Sequence, residues 1–126
     1  MIKKGDIVTM DAMVQKEVMG WKFYKPDFRP STDMNDTWKV VEKLQEQGWS
    51  VLVRNCVSEF CGLIRSGEAQ YGDYFCHISR DEYVGEGGFV QMKEKNSNKI
   101  IRKTAQEAIC LSALMAIGVK LKTNKS

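Results

Sequence analysis

The order of hydrophobic periods along this chain predicts an α+β fold, with two helical segments, a run of short strands and one closing helix. Three observations carry that reading. Met10, Val14, Val18 and Trp21 recur at helical spacing, and Met34, Trp38, Val41 and Leu44 repeat the pattern. Between residues 49 and 92 the period falls to two. From Thr104 onward a capping box leads into a nearly all-apolar run. A length of 126 residues gives room for one domain, 1–126, around one core.

The first helix is expected to begin near Thr9–Asp11 and to weaken at Gly20. Pro26 and Pro30 exclude helix between them, so Lys22–Pro30 reads as an extended loop. It carries Phe23, Tyr24, Phe28 and Arg29, which either pack over the sheet edge or wall a ligand. The second helix opens at Ser31–Asp33, where any of three polar side chains can cap the free amides. Because capping explains those residues, an anion at that helix start is a secondary reading. Gly48 fits the glycine that follows a helix.

In the middle, strands are expected at Trp49–Arg54, Val57–Arg65 and Tyr71–Arg80, with shorter ones at Tyr83–Val84 and Phe89–Met92. Their short connections predict antiparallel pairing. Alternation puts Tyr71, Asp73, Phe75 and His77 on one mixed face and Tyr74, Cys76 and Ile78 on the other. Gly85–Gly88 lacks the Lys-Ser/Thr of a phosphate-binding loop and reads as a tight hairpin turn, and Lys93–Lys99 reads as a loop. The last helix has almost no polar face from Ala105 to Ile117. It must lie between other elements or in a subunit interface. Arg102 and Lys103 precede its cap, an unfavourable place for positive charge that an anionic partner would relieve.

Composition narrows the function classes. Hydrophobic and charged contents of 43% and 28% are those of an ordinary soluble protein. The net charge of +3 sits mostly in the ends, and no Lys/Arg stripe interleaved with aromatics appears, so DNA or RNA is not an expected partner. The start lacks the apolar core of a secretion signal, and no run is long enough to span a membrane. A cytoplasmic location follows, where the four cysteines stay reduced. Cys76 and His77 face opposite ways on a strand and cannot share a metal, so the cysteines read as buried apolar residues. One histidine without a nucleophile pattern gives no triad, and no metal-ligand cluster appears. No catalytic residue, metal or cofactor is expected, and the chain reads as a non-enzyme.

Met19-Gly20-Trp21, the run RPSTD (Arg29–Asp33), Trp38–Leu44 and Thr104–Cys110 together resemble the phage ABA-sandwich family in order and spacing. Two departures occur: Gln106 stands where the family commonly has Pro, and Leu111 where it often has a basic residue. The resemblance implies an α/β/α sandwich with a largely antiparallel sheet between helical layers, encoded by phages and prophages. Within that family the chain resembles the Thoeris anti-defence sponges. That likeness implies sequestration, without cleavage, of cyclic ADP-ribose signals made by TIR-domain immune enzymes. It also extends to cyclic di- or trinucleotides and to a homo-oligomer, a dimer or a multiple of dimers, inside the bacterial host cell.

Such a ligand presents an adenine face, a pyrophosphate and ribose hydroxyls, and calls for an aromatic platform, arginines and a few amide or hydroxyl groups. Phe75 is the aromatic candidate, with Tyr71 second. Arg102 and Arg29 are the pyrophosphate candidates, and Asn98, Thr104 and Ser31 the polar ones. Two other readings stay open. One is a phage accessory protein that acts on a host factor by protein–protein contact; the other is a phosphodiesterase-like enzyme.

Overall fold

The computed structural model describes residues 4–58, 61–86, 89–97 and 99–119, and within them the side chains of 9–81 and 97–119. Helix α1 (Lys4–Met13) starts earlier than its stripe predicts and runs directly into a π-helical turn, Val14–Val18. Met19 N–H donates to Val14 O at 3.0 Å, one residue wider than an α-helical bond. Val14, Gln15 and Val18 all turn inward. Gln15 then holds the aromatic loop. Its Nε2 donates to Lys25 O (2.9 Å) and Phe28 O (3.0 Å), while its Oε1 accepts from Lys25 N (2.7 Å).

The RPSTD run is a polar knot. Arg29 N donates to Asp36 Oδ2 and Ser31 N to Asp11 Oδ1, both at 2.9 Å, and Thr37 Oγ1 donates to Pro30 O at 2.6 Å. Helix α2 (Met34–Glu46) begins at Asp33, whose side chain accepts from Asn35 N. Its buried stripe is Asp36, Thr37, Val40 and Leu44, and Trp38 is 50% exposed. The expected stripe is rotated because Asp36 and Thr37 must face the knot they satisfy. Gly48 takes φ +85° after α2, the left-handed conformation expected of it.

Strand β1 (Ser50–Asn55) pairs antiparallel with β2 (Tyr74–Glu86), placing Leu52 opposite His77 and Arg54 opposite Phe75. On its other edge β2 pairs with β3 (Phe89–Asn96) and with β4 (Ile100–Arg102). Glu86 pairs with Phe89, so the hairpin is connected by Gly87 and Gly88, which lie outside the described residues. Three expectations change here. Among the described residues of Val57–Arg65 no strand forms, and the end of the span makes the one-turn helix α3 (Gly62–Arg65). Strand β2 starts at Tyr74 because Gly72, at φ +90°, turns the chain just before it. Much of Lys93–Lys99 continues β3, and β4 follows it.

Helix α4 (Ala105–Ala116) lies on the sheet, and α1, the π turn and α2 close around it. Its residues Ala108–Leu114 are all buried, as an apolar run with no polar face requires. Val51, Val53, Tyr74, Cys76 and Ile78 meet them from the sheet. The fold is therefore α+β, built on an antiparallel sheet. The long helices gather on one face, because α4 needs cover on every side. The opposite face carries Leu52, 55% exposed, and exposed Arg54, whose Nη2 lies 3.8 Å from Cys61 at the start of α3.

Candidate functional site

Two helix starts meet in this molecule. Gln106 Nε2, in the first turn of α4, lies 3.5 Å from Thr32 O, just before the Asp33 cap of α2. Thr104 caps α4 by accepting from Glu107 N at 3.2 Å. The return arm of the expected capping box is not formed; burial pushes the Glu107 carboxyl above its ordinary pKa, with Arg102 nearby opposing the shift. Both helices are long enough to carry a positive dipole end. Of the acids around the junction, Asp33 caps α2 and Asp36 accepts from Arg29 N, while the Glu107 carboxyl stands near Arg102.

Arg29 and Arg102 flank this junction. Arg29 Nε donates to Pro26 O (3.1 Å) and Arg102 Nη1 to Ile101 O (2.7 Å). Among the described residues neither guanidinium has a carboxylate within ion-pair distance, which leaves donors for an anion, although Glu107 lies near Arg102. Ser31 does not cap α2. Its side chain is 2% exposed, and its hydroxyl has no hydrogen-bond partner.

Lys103 is different from Arg102. Its Nζ reaches Asp73 Oδ1 at 2.9 Å and Gln70 Oε1 at 3.2 Å. The internal carboxylate of Asp73 already supplies the relief that the charge beside the cap called for. Asp73 also accepts from Gln70 N at 2.8 Å, and these bonds, the amide first, hold its pKa below the ordinary value of 3.8. Asp73 is thus buried in a turn and not displayed on the mixed strand face.

Phe75 and His77 do share the sheet face of Leu52 and Arg54, and Ile101 stands opposite Phe75. Tyr71 precedes the strand, at 75% exposure, so alternation does not align it with Phe75. Arg102 pairs across from Tyr74, on the other face. Within one chain, then, Arg29, Ser31, Thr104 and Arg102 gather near the helix junction, whereas Phe75 lies on the far face of the sheet. Asn98 lies outside the described residues. Sequence reasoning missed Gln106 as the link between the two helix starts. The one available signal was its standing where a proline, which has no side-chain amide, is common.

Among the described residues no group of His, Cys, Asp and Glu could hold a metal ion, and no helix is long and apolar enough to cross a membrane. No curated protein and no solved structure is significantly similar to the chain. The model of the phage ABA sandwich domain matches residues 6–114. That stretch runs from α1 almost to the end of α4 and takes in the RPSTD knot, the sheet and both helix starts. The chain belongs to the phage ABA sandwich domain family.

Proposed function

We propose that this chain is an anti-defence sponge of phages or prophages. On this reading it binds cyclic ADP-ribose isomers made by TIR-domain immune enzymes, retains them uncleaved in the cytoplasm of the host, and also takes cyclic di- or trinucleotides. The supporting observation is the junction of two helix starts flanked by two arginines, neither of them within ion-pair distance of a carboxylate although Glu107 lies near Arg102, a setting suited to a pyrophosphate. The adenine would stack on Phe75. Phe75 and Arg102 occupy opposite faces of one chain, which favours a site shared between copies and hence a homo-oligomer. Light scattering should then give a multiple of 14.4 kDa.

The decisive experiment incubates the protein with cyclic ADP-ribose isomers, removes it, heat-denatures it and assays what is released. Intact signal recovered after depletion supports the sponge, and degraded signal supports a phosphodiesterase. Phe75→Ala and Arg102→Ala should each weaken retention at least about tenfold; unchanged affinity in both would exclude this site. If nothing is depleted, the second reading stands, an accessory protein that contacts a host factor. Exposed aromatics favour that reading, with Phe23 at 82% and Tyr24 at 47% in the loop before α2.

A further inference from the structure

Residues 21–28 make a loop that is closed at its neck. The rings of Trp21 and Phe28 meet edge to face, 4.7 Å between centroids and 61° between planes. Lys25 Nζ lies 4.4 Å from the Trp21 ring centre, Phe28 N donates to Lys25 O at 3.1 Å, and Gln15 bonds to backbone at both Lys25 and Phe28. Arg29, the next residue, is tied back to Pro26 O by its Nε at 3.1 Å. A compact loop fastened in this way holds its shape. Its tip nevertheless keeps Phe23 and Tyr24 in solvent, and Lys22 and Asp27 beside them are exposed too. Two aromatic rings held outward on a braced loop are preorganised for a contact.

The sheet has an uncovered face of matching character. On the side away from α4 it carries Leu52, Arg54, Phe75 and Ile101, with Arg54 opposite Phe75 on one edge and Ile101 opposite it on the other. Leu52 and Arg54 are exposed there, and alternation along β2 brings exposed Asp81 to the same side. Among the described residues no helix of more than one turn packs on this face. Lys22, Asp27, Arg54 and Asp81 form no ion pair among the described residues. Loop tip and sheet face thus each present apolar side chains with a cation and an anion beside them. The two surfaces complement each other and both belong to this chain, so the partner that fits them is a second copy.

We propose that the 21–28 loop of one copy docks on the sheet face of a second. Phe23 and Tyr24 seat against the partner's Leu52, with Lys22 toward the partner's Asp81 and Asp27 toward the partner's Arg54. The contact does more than join copies. Because Arg29 is fastened to the loop, docking carries it, with the helix junction that follows, to the partner's Phe75. The aromatic platform and the arginines, which one chain holds apart on opposite faces, then meet in one site built from two copies. That last step rests on the sponge reading for its ligand; the contact itself does not. A loop against a sheet face is a heterologous pairing, so a closed assembly makes the contact twice in a pair or once per copy in a ring.

Light scattering of the full chain without ligand is the first test. The wild type should give a multiple of 14.4 kDa. Phe23→Ser/Tyr24→Ser and, separately, Leu52→Lys should give 14.4 kDa with an unchanged circular dichroism spectrum, since all three side chains are exposed. A monomeric wild type, or an oligomer that either variant leaves intact, overturns the proposal. A charge exchange then tests which residues face each other. Asp27→Lys and Arg54→Glu should each weaken assembly at least about tenfold, and the two together should restore it; no restoration would refute the facing of Asp27 and Arg54. Mixing separates the contact from the ligand. Chains with Phe75→Ala and chains with Arg29→Ala, exchanged into common oligomers, should recover cyclic ADP-ribose retention that neither has alone. Failure to recover it, where the wild type retains the ligand, overturns the shared site. A wild-type oligomer that retains no nucleotide sinks the sponge reading and leaves the docking contact in place.

Discussion

Gln15 shows how much one side chain can organise. It lies inside the π turn, where a polar residue has no intrinsic reason to be, and its amide meets three backbone groups of the aromatic loop. Gln15→Leu keeps the volume but leaves those groups unpaired. The expected loss is about 2 kcal/mol, read as a lower urea midpoint at unchanged slope. Asp73 makes a prediction with a sign. Its folded pKa lies below the unfolded value of 3.8, so its contribution is full above that value and is lost as pH falls through the lower folded one. Thermal midpoints of the wild type should drop on acidification across that window. Asp73→Asn should start lower at neutral pH and lack this part of the slope. Neither role was legible in advance, since periodicity detects apolar stripes and is blind to a buried polar residue whose partners are distant backbone groups.

At the scale of elements, legibility followed the strength of local signals. Thr104 and the apolar run after it located α4 because a cap and a buried helix are both written in adjacent residues. Gly48 was readable for the same reason, and it carries a prediction. Its φ of +85° disfavours any L side chain, although a Cβ would meet nothing closer than Arg80 Cδ at 3.7 Å. Gly48→Ala should therefore cost about 1 kcal/mol through backbone strain alone, seen in equilibrium unfolding. The pairing of Arg80 with Trp49, 4.3 Å from ring centroid to guanidinium carbon, should survive it. The errors fell where signals were short or ambiguous. Leu63 and Ile64 suit a strand or a helical turn equally, and a bond from Arg65 N to Cys61 O closes the turn. Tyr71 looked like part of the strand because alternation was extended across Gly72, the residue that ends it. The candidate site was legible as residue types. Which face each residue occupies depends on register, and register separated Phe75 from Arg102.

The whole molecule turns on α4. It contacts the sheet, the N-terminal helix with its π turn, and α2, and the buried residues of all of them form one core cluster among the described residues. Leu114 is fully buried there, in one cluster with Val14, Val40, Trp49 and Ile78. Removing its side chain takes packing from every layer together. Leu114→Ala should lose about 2–5 kcal/mol, according to how far the surroundings collapse into the space. The loss should be shared by all probes. Far-ultraviolet circular dichroism reports mainly the helices, whereas the buried Trp49 reports the junction of α2 with the sheet. If α4 couples the layers, the two unfolding curves coincide in the wild type and shift together in the variant. Curves that separate in Leu114→Ala would show that the sheet and the N-terminal helices hold together without α4, and that the single core inferred here is two.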